Sequence, residues 1–565
     1  AMSLSESSIG DHTVFSLSDR FVERLAAHQP MLATQMGVAG HDAAWGKHDP
    51  ESWQDLKALL REVRSELVCL PPSDRYWERL GRRVLDDYLA VRLEQIERGE
   101  PLRDLNNIAS PLQAFRETFD LMPRASEADW LAIAKRLESI GQAIDGYTAC
   151  LTAGRQRGLL AARRQARACL EQCRVHSSDG AFFDTLAQQV LDTGTSSSIQ
   201  RLVATGVQTA RAAYSRLGDY LQRDYLPVCS GKDGVGLERY RFATRSFLLT
   251  EIDHHAVYHW GWQEITRLKQ QMDTVIHRIE PGESFREIVR LLKTDPRYAV
   301  DSPESFLERM SEIQRDALER LDTRVFEVPA QVRTVEVRFA PKGSTLGAYY
   351  VQPSEDFSRP GCVWYAKPAN VTAFPLYDEV TTAYHEGFPG HHLQIGVQLS
   401  LGDQLTRAHR LAIWHDGYGE GWALYAERLM GELGFLDQPE YEFGLLASQM
   451  MRACRVVIDI GMHLGLTIPP DAPFQPGAGW TFETAVQLLI DYGLMDAENA
   501  CSDVTRYLGW PGQAISYKVG EQFILDLREQ AKCKDWFTLK EFHRRVLGSG
   551  PVGLDHLKEL ILAQP

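Results

Sequence analysis

The stretch at residues 384–392 holds the residue types best suited to metal-dependent chemistry. It reads Tyr-His-Glu-Gly-Phe-Pro-Gly-His-His, so His391 and His392 follow His385 by six and seven positions. In the zinc-binding HExxH pattern, two histidines one helical turn apart bind the ion, and the glutamate acts as a base. Here His385 and Glu386 keep the first half of that pattern, while a Pro-Gly pair displaces the second half. The spacing therefore indicates a metal site only if the chain bends between the two halves.

The segment Phe388-Pro389-Gly390 supplies a reason for such a bend. On an unbroken helix, six or seven residues rise roughly 9–10 Å, which is too far for two side chains to share one ion. Proline disfavours the helical region for the residue before it and crowds the preceding turn, and glycine permits unusual backbone angles. If two residues loop out, His391 takes the phase of the second ligand, and if three do, His392 takes it. We favour His391, with His392 as the alternative, and expect the remaining histidine to contact the substrate or to support the site.

A third ligand is expected from the glycine-rich segment 417–427, which predicts a helix that begins among small residues. Zinc hydrolases use three protein ligands and leave one position open for water. Glu420 lies near the start of this helix, and Glu427 lies two turns later on the same face. We therefore predict one zinc ion bound by His385, a later histidine and Glu420, with Glu427 orienting a histidine.

Two arginines follow one stripe of the apolar helix predicted at residues 439–468. Arg452 and Arg455 share that stripe with Asp459 and His463. Buried charges are costly unless they are paired, so the stripe is either an internal ladder of ion pairs or the lining of a pocket. In a pocket, the guanidinium groups of Arg452 and Arg455 would suit the terminal carboxylate of a peptide.

A later helix, predicted after Pro511-Gly512, presents Gln513 and Tyr517 one turn apart. A phenol beside a metal can donate a hydrogen bond to the oxyanion that forms during hydrolysis. A tyrosine on a helix more often packs in a core, so the spacing alone gives Tyr517 only weak support as a catalytic residue.

The composition is that of an ordinary globular protein with a large core. Of 565 residues, 44% are hydrophobic and 24% are charged, and the net charge of −15 argues against nucleic acid or an anionic membrane as a partner. No run approaches the roughly 18–20 apolar residues of a membrane span, the N-terminus lacks the features of a secretory signal, and Ala1 before Met2 is interpreted as a cloning remnant. Nine scattered cysteines without a CxxC pair favour reduced thiols. We expect a cytoplasmic monomer or homodimer.

Apolar residues at steps of three and four predict that most of the chain is helical. Alternating β-branched and aromatic residues at 331–339, 347–352 and 362–365 predict a small antiparallel sheet just before the His-Glu segment. The predicted organisation is a disordered tail at 1–14, a helical half at 15–330, and a half at 331–565 that holds the sheet and the site. The two halves are expected to pack closely enough to form one domain.

Taken together, these motifs resemble those of the bacterial family named domain of unknown function 885. The resemblance rests on Tyr384–Gln394, Gly419–Glu427, Arg452–His463 and Pro511–Gly520, and it extends over nearly the whole chain. Members of that family look like distant relatives of Taq-type zinc carboxypeptidases and of thimet- and neurolysin-type oligopeptidases. The resemblance implies a mostly α-helical, neurolysin-like fold with a central channel.

The resemblance also implies functional roles for individual residues. Glu386 matches the general base of such peptidases, and Tyr517 falls where they keep a tyrosine that stabilises the transition state. Tyr349 and Tyr350 fall on the strand along which those peptidases bind the substrate backbone, and Gln513, in the same motif as Tyr517, is expected to contact the substrate. The missing HExxH spacing is a departure from those peptidases.

The function predicted from the sequence is that of a zinc-dependent peptidase acting on short peptides, of carboxypeptidase or oligopeptidase type. One alternative is a metal-dependent hydrolase of a non-peptide amide. Another is a catalytically silent helical binding protein that descends from a peptidase.

Overall fold

The computed structural model describes residues 13–340, 347–367 and 373–563. The predicted mostly α-helical fold is confirmed, since 68% of the chain is helical and the sheets are small. Most of the predicted tail at 1–14 lies outside the described residues, and the first helix begins at Val14.

The helices in the first part of the chain are α1 (Val14–His28), α2 (Pro30–Met36), α3 (Pro50–Cys69), α4 (Tyr76–Glu97), α5 (Pro111–Leu121), α6 (Glu127–Gln156), α7 (Arg163–Ser177), α8 (Phe182–Leu191), α9 (Ser197–Tyr220), α10 (Leu237–Leu248), α11 (His254–Ile279), α12 (Phe285–Thr294) and α13 (Pro303–Leu321). The later helices are α14 (Glu379–Glu386), α15 (His391–Leu401), α16 (Arg407–Leu411), α17 (Asp416–Glu432), α18 (Pro439–Leu464), α19 (Phe482–Asp491), α20 (Ala497–Gly509), α21 (Ser516–Ala531), α22 (Leu539–Leu547) and α23 (Leu554–Leu562). The strands are β1 (Ala299–Val300), β2 (Val335–Phe339), β3 (Tyr349–Val351), β4 (Gly361–Tyr365) and β5 (Phe374–Pro375).

The chain forms two compact units. The described part of unit 1 comprises residues 13–233, 406–413 and 508–510, and unit 2 contains the remaining described residues. The predicted boundary at residue 330 therefore lies inside unit 2. The reason is that α11 packs on α18 and on the segment after it, where Tyr258 of α11 donates to the carbonyl of Thr467 and accepts a hydrogen bond from Trp480.

Unit 1 is helical and has two apolar cores. One core is built around α5, α6 and α9, with Phe115, Trp130 and Tyr214 fully buried, and the other is built around α1, α3 and α4. Arg136 is also buried, and its guanidinium donates to three backbone carbonyls of the segment around α2. Buried charge is tolerated there because the guanidinium is hydrogen-bonded to these carbonyls.

Unit 2 holds the small sheet predicted from the sequence, but the strands are not all antiparallel. The spatial order is β2-β4-β3, in which β3 and β4 are antiparallel and β2 and β4 are parallel. The alternation in the sequence marks the strands but not their order. The strand that follows β3 in the chain, β4, lies between β2 and β3, and it pairs with β2 in the parallel direction. A separate antiparallel pair joins β1 to β5.

The sheet packs on the helices that lead to the His-Glu segment. Phe306 of α13, Val363 and Tyr365 of β4 and Ala383 of α14 share one buried cluster. This cluster sets the position of α14 relative to the sheet. Among the described residues, no helix combines the length and apolar character that would let it cross a membrane.

Candidate metal centre

The helix carrying His385 breaks immediately after Glu386, as Pro389 and Gly390 predict. Helix α14 ends at Glu386 and α15 begins at His391. A Cβ atom on Gly390 would overlap the carbonyl oxygens of Tyr384 and His385, so only glycine allows the chain to turn back this closely. As a result, the imidazole centroids of His385 and His391 are 5.0 Å apart.

Neighbouring side chains satisfy the backbone groups that this break leaves without helical partners. Gln314 of α13 accepts from the Phe388 N–H at 2.7 Å and donates to the Ala383 carbonyl at 3.0 Å. The indole of Trp422 donates to the Pro389 carbonyl at 2.9 Å. Buried backbone groups need such partners, so Gln314 and Trp422 make the break a stable feature of unit 2.

Three side chains converge at the break with the geometry of a metal site. One ligand atom from each of His385, His391 and Glu420 lies within 4.8 Å of the others. Oε2 of Glu420 is 3.3 Å from Nε2 of both histidines, and this buried oxygen has no aligned hydrogen-bond donor. Two tetrahedral ligands that each lie about 2.1 Å from one zinc ion are about 3.4 Å apart. The two imidazoles and the carboxylate therefore fit zinc in both chemistry and spacing.

Glu427 orients His385 from the side away from the cluster. Its Oε2 lies 2.8 Å from Nδ1 of His385, and its Oε1 accepts from the hydroxyls of Thr381 and Ser448 at 2.5 and 2.7 Å. The Nδ1 proton of His385 therefore points to Glu427, and Nε2 faces Glu420. Carboxylates behind metal-binding histidines commonly fix the ring in this way.

The cluster contains strongly perturbed groups. Burial acts to lower the pKa of His385, but the neighbouring carboxylates of Glu420 and Glu427 outweigh burial and raise that pKa to about 10. Burial acts to raise the pKa of Glu420, but the positive charges of His391 and His385 hold it well below its usual range. Burial raises the pKa of Glu386. Without metal, His385 thus keeps a proton between its ring and Glu420, at the position where a divalent cation fits, and metal binding would displace that proton.

His392 faces away from this cluster and joins α15 to the sheet. Its Nε2 lies 2.7 Å from the carbonyl of Val332, and its Nδ1 lies 2.7 Å from the hydroxyl of Tyr350. The ring is fully buried, and burial lowers the pKa of His392 to about 4. Because Nε2 donates to the carbonyl, Nδ1 accepts from Tyr350. Both nitrogens are occupied, so the predicted contact between His392 and a substrate is replaced by a role in holding the sheet.

The two tyrosines predicted to bind substrate lie on opposite faces of β3, because successive strand residues alternate. Tyr350 faces His392, whereas the ring of Tyr349 stacks on Trp364 with centroids 6.5 Å apart. Gly361 leaves room for the first contact, since a Cβ there would overlap the Tyr350 hydroxyl and lie 2.6 Å from Nδ1 of His392. Tyr349 and Tyr350 therefore cannot both face the metal cluster.

Close backbone packing of α17 on α21 brings Tyr517 to the cluster. A Cβ on Gly520 would overlap the carbonyl oxygen of Gly417, and a Cβ on Gly421 would lie 2.7 Å from Gly520. The ring of Tyr517 stacks on that of His385, with centroids 6.5 Å apart and planes 20° apart. The predicted catalytic tyrosine and the predicted ligand are therefore neighbours.

The two arginines of the α18 stripe both lie against the ring of Tyr517, at 5.6 Å for Arg452 and 4.9 Å for Arg455. Arg455 is buried and donates to Tyr507 and Asp503. Arg452 donates to Ser448, and its Nε is buried without a hydrogen-bond partner. Arg452 therefore retains a donor for a ligand, whereas Arg455 supports Tyr517.

The rest of that stripe belongs to an internal ladder. The carboxylate of Asp459 accepts from the hydroxyl of Tyr240 at 2.6 Å and from the N–H of Gly512 at 3.0 Å. His463 bonds to the carbonyl of Tyr507 through Nε2 and to the N–H of Val235 through Nδ1. Asp459 and His463 thus belong to an internal ladder of polar contacts. The bond from the Gly512 N–H to Asp459 also holds the loop that precedes Tyr517.

Sequence reasoning identified Gln513 beside Tyr517 but missed two further polar residues of this network, Asp416 and Arg506. Gln513 donates to that hydroxyl at 3.5 Å and to the carboxylate of Asp416 at 3.0 Å. Arg506 donates to Tyr517 at 3.2 Å and to Gln513 at 2.8 Å. Asp416 lies one turn before Glu420 on the same face of α17, and this spacing could have identified Asp416 from the sequence. No local sequence pattern links Arg506 to Tyr517.

Comparison with known proteins places the chain in a family. The sequence model of the family described as "bacterial protein of unknown function (DUF885)" matches residues 30–561. The chain belongs to this family. No curated protein matches the chain. This DUF885 chain is similar along its length to two solved structures. Their sequence identity to this chain is low, so the similarity shows a shared fold and nothing about function.

The first of these is the crystal structure of a candidate lipoprotein from Colwellia psychrerythraea. It has a TM-score of 0.84 and 22% identity, with 97% of this DUF885 chain and 98% of the other chain covered. The second is a candidate lipoprotein of unknown function from Shewanella oneidensis. It has a TM-score of 0.75 and 18% identity, with 98% of this chain and 100% of the other chain covered.

Proposed function

We propose that this protein is a zinc-dependent peptidase that hydrolyses short peptides. The observation that carries the proposal is the convergence of His385, His391 and Glu420 within 4.8 Å, directly beside Glu386. Two imidazoles and one carboxylate form the ligand set of many catalytic zinc sites, in which a fourth position takes water. Within the described residues, this is the group of histidine, cysteine and acidic side chains that meets the spacing of a metal site.

When bound, zinc would supply a water of lowered pKa and polarise the carbonyl of the scissile bond. Glu386 is adjacent to His385 on α14, so its side chain points about 100° away from the ligand and can address that water. It would take the proton of the water and deliver it to the departing amine.

Tyr517 is suited to donate a hydrogen bond to the oxyanion. Its hydroxyl oxygen accepts from Arg506 and Gln513, so its own hydrogen points elsewhere. The ring is held between His385 on one side and the guanidinium groups of Arg452 and Arg455. A fixed donor beside developing negative charge stabilises the transition state without reorganising.

Arg452 supports a substrate that carries a free carboxylate. Its guanidinium lies 5.6 Å from the centroid of the Tyr517 ring, and its Nε is buried without a partner among the described residues. A buried donor that lacks a partner is costly, and a carboxylate bound to the guanidinium fork would remove that cost. This favours short peptides cleaved near the C-terminus.

The first test is metal content, with two neighbouring histidines as a matched pair. Protein purified without chelator and loaded with zinc should hold one zinc per chain by mass spectrometry of the metal. His391→Gln should lose most of that zinc, whereas His392→Gln should retain it because His392 bonds to Tyr350 and Val332. Circular dichroism checks that both variants are folded. Equal zinc retention in the two variants would contradict the ligand assignment.

The second test is hydrolysis itself. A mixture of short peptides with free C-termini is incubated with zinc-loaded protein, and the products are identified by mass spectrometry. Cleavage should disappear on chelation and return with zinc. Stoichiometric zinc with no cleavage of any peptide would leave a metal protein and refute the peptidase proposal.

A further inference from the structure

Trp414 is a large apolar side chain that remains 43% exposed beside the candidate metal centre. It lies just before α17, and its ring centroid is 6.2 Å from that of the proposed ligand His391. Exposure alone indicates little, because single exposed apolar residues are common on protein surfaces. The way in which the indole is fixed distinguishes Trp414 from the other exposed apolar residues.

Three contacts hold this indole in one orientation. The outer edge of its six-membered ring packs on Gly419, where any Cβ would overlap the ring. Its N–H bonds to the carboxylate of Asp416, which also accepts from Gln513. Its third neighbour is His391. A side chain that contributed only to folding would gain more by burial, so the fixed and exposed indole is better explained by a ligand.

A rigid indole face stacks well on another aromatic ring and packs on large aliphatic side chains. It can also attract a cation, but the surroundings oppose a cation here. The Asp416 carboxylate already accepts from the indole N–H and from Gln513, whereas the guanidinium groups of Arg452 and Arg455 lie on the ring of Tyr517 and a bound zinc ion would add further positive charge. An uncharged aromatic or aliphatic side chain therefore fits the surface better than lysine or arginine.

We infer that Trp414 forms a side-chain subsite that selects peptides with an aromatic or large aliphatic residue next to the scissile bond. The inference rests on the proposed function and adds the substrate class. The contact with His391 places the subsite next to the reacting carbonyl. Asp416 links it through Gln513 to the Tyr517 hydroxyl.

The test measures binding without turnover, in zinc-loaded protein carrying Glu386→Gln. The probes are tetra-alanine and tetra-alanine peptides with one phenylalanine, leucine or lysine at each position in turn, titrated by calorimetry. At one position, phenylalanine should bind about tenfold more tightly than alanine, which is the size expected for one aromatic contact. Adding Trp414→Ala should remove that preference, and adding Trp414→Phe should keep part of it.

A matched control is Trp536→Phe, since that indole contacts Arg545 and Phe537 and should not affect peptide binding. Tryptophan emission gives a second readout that needs only the conservative variant. The phenylalanine peptide should change the emission of protein that contains Trp414 and should change that of the Trp414→Phe variant less. This comparison shows whether the peptide contacts Trp414 even if the Trp414→Ala variant does not fold.

Three results would overturn the inference. A phenylalanine preference that survives in Trp414→Ala, or an equal loss for the phenylalanine and alanine peptides, would remove the subsite while leaving the peptidase intact. A preference for lysine that depends on Trp414 would show a cation subsite instead. Zinc-loaded protein that binds none of the peptides would refute the proposed function together with the subsite.

Discussion

Nδ1 of His385 lies 2.8 Å from Oε2 of Glu427, and the other oxygen of that carboxylate is held by two hydroxyls. Glu427 is almost fully buried on α17, one helix away from His385 on α14. Burying a carboxylate is costly unless it is well bonded, and here each oxygen has a partner. The pair therefore fixes the direction in which Nε2 of His385 points before any metal binds.

Glu427→Gln should weaken zinc binding by about 10- to 100-fold, because partners behind metal-binding histidines have effects of that size. The amide keeps the shape of the side chain but loses the negative charge that favours a proton on Nδ1. Affinity is measured by competition with a chromophoric chelator. Glu432→Gln, at the exposed end of the same helix and paired with Arg528, is the control. Equal zinc affinities in the two variants would show that Glu427 does not act through His385.

Glu386→Gln should abolish peptide hydrolysis while zinc remains bound. Loss of a general base typically lowers the rate by about 10²- to 10⁴-fold, and the side chain is not one of the three proposed ligands. Turnover of a cleaved peptide and zinc content are measured on the same preparation. Glu379→Gln on the same helix is the control. Burial and the neighbouring Asp378 raise the pKa of Glu379 to about 8, so the amide replaces a carboxyl group that is largely neutral. Full activity in Glu386→Gln would eliminate the proposed base.

Gly390→Ala should destabilise unit 2 by at least about 2 kcal/mol and lower zinc affinity. The added methyl group would overlap two carbonyl oxygens of α14, so α15 would have to move and carry His391 away from His385. Chemical denaturation and chelator competition measure the two effects. Gly479→Ala is the matched control, because a Cβ at residue 479 meets no atom within 4 Å. Unchanged stability and affinity in Gly390→Ala would mean that the turn can relax without cost.

The geometry around the helix break was predictable from the sequence because its causes are local. Pro389 and Gly390 act on the residues next to them, and the helical phase then determines that His391, and not His392, returns to His385. The position of Glu420 followed from its place among small residues. These inferences needed only backbone chemistry and a count of residues, whereas zinc binding itself still depends on the proposed experiments.

The partners of the remaining side chains come from distant segments, and a single sequence does not reveal them. Arg452 and Arg455 share a stripe, but their different roles depend on Asp503 and Tyr507, which α20 brings to Arg455 alone. Similarly, the role of His392 depends on Val332 and Tyr350, some 60 and 42 residues earlier. The strand order of the sheet escaped prediction for the same reason.

The stability of unit 2 should depend on pH through His543, which lies outside the proposed site. The side chain on α22 is buried, its Nδ1 donates to the carbonyl of Val325 at 3.0 Å, and its Nε2 accepts from the hydroxyl of Tyr425 at 2.7 Å. Burial is the main cause and the nearby cation Arg528 a smaller one, and together they outweigh the bond to Val325 and lower the pKa of His543 to about 3. The folded state therefore favours the neutral imidazole.

An unfolded histidine has a pKa of about 6.5, so between pH 6.5 and pH 3 the unfolded state binds more protons at this residue than the folded state does. The contribution of His543 to the free energy of unfolding is complete above pH 6.5 and should fall by up to about 1.4 kcal/mol per pH unit below it. Urea unfolding of His543→Asn, which keeps a donor for Val325, should show a shallower decline between pH 7 and pH 5 than the wild type. The exposed His255→Asn variant should follow the wild type. Parallel pH profiles for all three proteins would show that His543 does not control this loss of stability.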